Sequence, residues 1–247
     1  MLTIHDPRKH HHFVVLFEIN NADLGGSGEL GPSDWASAVK YGLITDATLK
    51  GLISHWVTRE YGLSALLSLR GGVQRQLLQP ILASADPHNI LKTELCQYFY
   101  DVRVFGLTTG SERIPGAIRL SSARSVDPVL PWSEDWAGSY GLYRLHGSYD
   151  PRLGAATGVR ADDLAVFWKT LTGLFESDPA VQPLRMAPRG VWVFSGEAES
   201  GPSEHLLGQV QQAKVRGNPR SFGDYRLRYP APGPLQSDPT VVLTHWT

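Results

Sequence analysis

Residues 13–19 (FVVLFEI) restrict this chain more than any other stretch. Aromatic and β-branched side chains dominate the run, and it is too short for an ordinary helix, so it reads as a buried central strand. It opens into Asn20-Asn21-Ala22-Asp23-Leu24-Gly25-Gly26-Ser27-Gly28, a glycine-rich stretch whose backbone can approach a ligand closely. No Gly-Lys-Ser/Thr follows, so it is not a Walker phosphate loop.

The elements after it follow from spacing. Thr45 or Asp46 is placed to cap a helix running through Leu49, Leu52, Ile53 and Trp56. Lys50 and Ser54 sit four apart, off that apolar stripe, on an exposed face. A second helical stretch is predicted over 63–69. Residues 99–106 and 116–124 read as two strands joined by a polar excursion. Val102 and Val104 alternate with Arg103 and Phe105, Ile118 and Leu120 alternate with Arg119 and Ser121, and Arg124 follows. Residues 140–149 (YGLYRLHGSY) form another strand. Asp162 or Asp163 starts a helix through Leu164, Phe167, Trp168, Leu171 and Phe175. Strands at 190–194 and 241–244 complete the series, and the chain is loop-rich from 196 onward. Without its insertions the order is β-α-β-β-α-β, an α+β, ferredoxin-like arrangement. Such an antiparallel sheet carries its helices on one face and leaves the other free, and the RNA-recognition fold uses that free face for single-stranded RNA.

The two arms at 99–124 carry the chemistry. A sheet face bearing Arg, an aromatic ring and small hydroxyls suits a phosphodiester backbone, because the guanidinium fork bonds phosphate oxygens and the ring offers a base something to stack on. Alternating Arg on a half-exposed strand is also the ordinary pattern of a solvated sheet face. The net charge of -1 argues against a generic polycation that coats nucleic acid, and leaves room for a localised stripe. Six Lys against seventeen Arg suits bidentate or stacked contacts over diffuse attraction. One cysteine, Cys96, excludes an intrachain disulfide and any multi-cysteine metal site, and reads as a small buried hydrophobe. No apolar run reaches the roughly 20 residues a membrane span needs, and MLTIHDPRKHHH has no signal-peptide core, so a cytoplasmic protein is expected.

His10-His11-His12 has no Cys or carboxylate cluster beside it and reads as a flexible surface tract, with no metal expected. His88 and His146 are candidate general bases without an evident partner, His146 being better placed on its strand. Tyr98, Phe99, Tyr100 and the tryptophans read as packing residues.

Four motifs in the same order resemble a known family. Residues 101–106 (DVRVFG), 116–129 (GAIRLSSARSVDPV), 140–147 (YGLYRLHG) and 42–53 (GLITDATLKGLI) look like the Cas7-type backbone subunit of type I CRISPR effector complexes (Cascade), the third motif most like the type I-C branch. The usual Asn-Pro-Asn-Gly-Asp-Pro type loop is replaced here by NNADLGGSGE, and Lys50 alone represents the usual basic cluster of the helix. The resemblance implies an RNA-recognition-like palm within a single domain, 1–247. A helical finger would be inserted at about 61–98 and a hairpin-like thumb at about 107–138, with a loop-rich 196–247. It implies several copies of the chain along one guide CRISPR RNA, alongside a handle-binding, a large and a small subunit, with target DNA paired to the guide. It implies no cofactor and no catalytic residue. The expected RNA contacts are Asn20, Asn21, Lys50, Ser54, Arg103, Arg113, Arg119, Arg124 and His146. The alternative is a metal-independent endoribonuclease that trims CRISPR repeat RNA with His146 or Tyr143.

Overall fold

The computed structural model describes residues 3–20, 41–110, 112–128, 140–174, 186–197, 203–215, 217 and 219–246. β1 (His10–Asn20) is followed by β2 (Leu43–Ile44) and α1 (Asp46–Tyr61), then by the shorter helices α2 (Gly71–Leu82), α3 (Pro87–Ile90), α4 (Cys96–Tyr98) and α5 (Tyr100–Phe105). A hairpin of β3 (Gly106–Thr109) and β4 (Glu112–Pro115) leads into β5 (Ile118–Leu120), β6 (Ala123–Ser125) and the long β7 (Tyr140–Tyr149). Next come α6 (Pro151–Thr157), α7 (Ala161–Gly173) and β8 (Met186–Gly196). The last elements are α8 (Ser203–Leu207), β9 (Gln211–Lys214), β10 (Tyr225–Arg228), β11 (Gly233–Pro234) and β12 (Val242–Trp246).

Eight strands among the described residues form one antiparallel sheet in the order β11-β12-β8-β1-β7-β6-β2, with β5 also paired to β7. Its centre, β8-β1-β7-β6, is the fourth-first-third-second order of a ferredoxin-like unit, with α1 and α7 as the two crossovers. The expected α+β fold is therefore the observed one.

β1 is buried on both faces. Phe13, Val15, Phe17 and Ile19 face the helical layer, where they meet Leu49, Ile53 and Val57 of α1 and Leu164, Phe167, Trp168 and Leu171 of α7. Phe13 meets Phe167 and Trp168 edge-on at 5.6 and 5.2 Å between ring centroids. Its ring lies against Gly147 across the β1–β7 ladder, where a Cβ would stand 2.0 Å from Phe13 Cζ, so only glycine fits.

The opposite face is not free, which corrects the sequence expectation. Val14 and Leu16, with Leu142, Trp192 and Phe194, are covered by Leu206, Val210, Tyr225, Leu235, Val241 and Leu243 from the C-terminal segment. Each large apolar side chain sealed this way contributes ~1.5–3 kcal/mol, so leaving that face in water would be strongly unfavourable. Among the described residues the β5–β6–β2 edge carries exposed side chains on it (Leu43, Arg119 and Arg124).

Two further expectations are overturned. Residues 100–105 form a helix, not a strand, because Tyr100 and Val104, four apart, both enter the helical-layer core while Val102 enters a smaller one. That smaller core joins Leu66, Leu91, Leu95, Cys96 and Val102 to Ile114 of β4, with Leu77, Leu78 and Ile81 of α2 packed against it, so α2, α4, α5 and the β3–β4 hairpin share one packed unit. The helix expected over 63–69 is a single 3-10 turn, Leu66–Ser68, ahead of α2.

Candidate nucleic-acid interface

β-Strand alternation places Leu142, Arg144, His146 and Ser148 of β7 on the outer face. The register sets Arg144 opposite Arg124 of β6, and Ser148 opposite both Arg119 of β5 and His12 of β1. Arg119 and Arg124 are exposed and form no ion pair among the described residues. Arg144 behaves differently. Its Nε donates to His146 Nε2 at 2.6 Å, Nη1 donates to the Val210 carbonyl and to Gln212 Oε1 at 2.5 Å each, and Nη2 donates to the Leu207 carbonyl at 2.7 Å. This guanidinium ties the sheet to the end of α8 and the start of β9 with no carboxylate, and burial lowers its pKa.

The bond from Arg144 settles the chemistry of His146. It occupies the Nε2 lone pair and so holds the ring in its Nδ1–H tautomer. Burial, and then the neighbouring Arg144 charge, push the His146 pKa below its usual value, so the imidazolium is disfavoured. With Nε2 engaged by Arg144, the ring presents its Nδ1–H as a hydrogen-bond donor.

The other expected contacts separate sharply. Arg103 is buried: its Nε and Nη2 fork onto Asp163 at 3.1 and 2.6 Å, and Nη1 donates to the Cys96 carbonyl at 2.7 Å. Its donors are consumed inside the helical layer, which removes it from any surface. Ser54 is likewise buried and donates to Asp101 Oδ2 at 3.3 Å, so the expected exposed face of α1 holds Lys50 alone. Lys50 pairs with Asp46 at 2.9 Å one turn earlier. Arg113 is exposed on β4, away from the sheet, opposite Thr108. Asn20 ends β1 with its side chain outside the described residues, and Asn21 lies outside them altogether.

The histidine tract is also corrected: it forms the first three residues of β1. His11 is sealed in the helical layer, its Nδ1 2.9 Å from Ser195 Oγ and its Nε2 3.0 Å from the Asp6 carbonyl, and burial lowers its pKa to about 4. Among the described residues no group of His, Cys, Asp and Glu is gathered to hold a metal ion, and no helix is long and apolar enough to cross a membrane.

Residues 132–230 match the family model described as CRISPR-associated protein Cas7. Over that segment, well under half of the chain, the sequence is similar to that family. No curated protein sequence matches the chain. A solved structure titled "CRISPR RNA-guided surveillance complex, pre-nicking" contains a chain 14% identical, with a TM-score of 0.46 and 75% of each chain covered. Another, titled "CRISPR RNA-guided surveillance complex", gives 13% identity, a TM-score of 0.42 and the same coverage.

The matched segment contains β7, α7, β8 and the α8–β10 cover, hence Arg144 and His146, whereas Arg119 and Arg124 precede it. Sequence reasoning missed Arg144, although the alternation Leu142, Arg144, His146 that singled out His146 puts Arg144 on the same face. It missed His12 because the tract was read as unstructured, when its even position in β1 already pairs it with the outer face.

Proposed function

We propose that the chain is a non-catalytic, cytoplasmic backbone subunit, of the type I-C branch, of an RNA-guided DNA surveillance complex. Several copies bind side by side along a guide CRISPR RNA, together with handle-binding, large and small subunits, and target DNA pairs with the guide. The protein grips the backbone and leaves sequence to base pairing. The observation that carries the reading is the pair of exposed guanidiniums, Arg119 and Arg124, unpaired among the described residues, at the sheet edge beside a Cas7-matching segment. Arg113 and Lys50 are further backbone contacts in this reading, with Asn20 and Asn21 at the end of β1. Arg103 and Ser54 drop out because both are buried.

The geometry speaks against the cleaving alternative. His146 has its basic nitrogen occupied by Arg144, and Tyr143 is buried on the other face, stacked on Phe17 at 5.6 Å with its pKa raised by burial. A general base needs a free lone pair within reach of the hydroxyl it activates.

The test is to purify the protein alone and again with a CRISPR array and the partner subunits, measure particle mass, and sequence any co-purifying nucleic acid. Large particles carrying array-derived RNA, uncut by the protein on incubation without metal, are expected. A nucleic-acid-free monomer in every preparation would sink the reading.

A further inference from the structure

Beneath α8, where β5, β7 and β1 run side by side, the outer face holds a groove of about 210 Å3. Its wall carries Arg119 of β5, Ser148 and His146 of β7, His12 of β1 and Ser121, with Leu207 of α8 on the apolar side. Arg119, Ser148 and His12 lie in one row across three strands, directly opposite one another in register. No Asp or Glu is among the residues that line it.

The polar groups here are arranged as donors. Arg119 has no ion-pair partner, and the Ser148 hydroxyl has no hydrogen-bond partner, among the described residues. His12 Nδ1 is buried and unpartnered. Burial and the neighbouring His10 keep the His12 ring neutral. His146, held by Arg144, offers only its Nδ1–H. Ser121 is already engaged, accepting from the His146 backbone N–H at 3.0 Å and donating to the Ser122 carbonyl at 3.0 Å, which fixes the wall. A guanidinium flanked by neutral donors from three strands, with no acid to compete, matches an anion with several oxygens spread around one centre.

We propose that this groove seats one phosphate of the RNA backbone, with Arg119 supplying the charge and Ser148, His12 and His146 the neutral hydrogen bonds. The proposal rests on the RNA-binding reading above and adds to it a defined subsite on the outer face, on the far side of the sheet from Lys50. Because the seat is assembled from backbone-registered strands, it forms whether or not RNA is present.

Two measurements on the full-length chain test it. The first follows the imidazole nitrogens by NMR during titration with inorganic phosphate at constant ionic strength. His12 and His146 are expected to shift saturably, the sealed His11 to stay still, and Arg119→Gln to abolish the shifts. The second is affinity for single-stranded RNA against salt, where Arg119→Gln is expected to weaken binding several-fold and to flatten the log–log slope by about 0.7, one phosphate's share. Arg119 is exposed, so the variant folds, and Ser148→Ala gives a second, milder loss. Absent shifts, with unchanged RNA binding by Arg119→Gln, would overturn the seat and leave the RNA reading standing. Phosphate shifts without any effect of the variant on RNA would overturn it too, leaving an anion site that RNA does not use. A wild-type chain that binds phosphate and no RNA would bring down the RNA reading itself.

Discussion

The two faces of the sheet use the same residue types in opposite ways. On the helical face, Arg103 and His11 are sealed and matched: Arg103 by Asp163 and Cys96, His11 by Ser195 and the Asp6 carbonyl. On the outer face, Arg119 and Arg124 have no ion-pair partner, and His12 keeps a nitrogen without a partner, among the described residues. Buried charge is tolerated only when its hydrogen bonds are complete, so Arg103 has no donor left to offer a ligand. The outer edge stays in water and can leave its donors unspent. Arg144 sits on the boundary between the two regimes, half-buried and satisfied by carbonyl oxygens and the His146 ring nitrogen with no carboxylate.

The largest test of this contrast is Asp163→Ala. It strands the buried Arg103 charge, and a loss of about 3–5 kcal/mol in urea unfolding is expected, against less than about 0.5 for Arg124→Ala on the exposed edge. Equal losses would erase the distinction between the faces.

Acidification probes the same asymmetry through His11. Its folded pKa of about 4 lies below the ordinary 6.5, so the unfolded chain binds the proton first and stability falls as pH drops from 6.5 towards about 4. The expected loss from this residue is ~3 kcal/mol. His10, His12 and His146, also lowered by burial, act in the same direction. Chemical denaturation at stepped pH should show a clearly flatter profile in His11→Gln, and an unchanged profile would refute the buried-histidine account.

Arg144→Met addresses the boundary. Losing the bonds to Leu207, Val210 and Gln212 is expected to cost about 1–3 kcal/mol. Amide exchange over 203–215 should accelerate while that of β1 does not. Uniform acceleration would mean that Arg144 supports the whole sheet and not its cover.

The smallest effects lie at the surface. Arg124→Ala is expected to lower the salt slope of RNA binding by about 0.7, and Lys50→Ala by less, because Asp46 already neutralises part of that charge. A larger effect from Lys50 would move the RNA track to the helical side.

Some of this was legible in the chain itself. Residues 13–19 carry apolar side chains on both parities, and that pattern already states that both faces of β1 are covered, though the ferredoxin-like expectation of a free face hid it. The alternation of Tyr143 and Leu145 with Arg144 and His146 likewise reports a strand with the two polar residues on one side. YDVRVF was ambiguous in principle: six residues satisfy a two-residue period and a helical turn equally well.

The sequence by itself determined the long elements and their order: β1, α1, β7, α7 and β8 each run through ten or more residues, enough for local periodicity to select the conformation. Only the tertiary structure decided that residues 100–105 are helical, that Arg103 and Ser54 lie inside while Arg119 and Arg124 lie outside, and that the C-terminal segment closes the second face. Those outcomes depend on partners far along the chain, Asp163 for Arg103 and Asp101 for Ser54, and on Leu206 to Leu243 for the cover. A short segment's own propensities are weak, and the burial and hydrogen bonds those distant partners supply outweigh them.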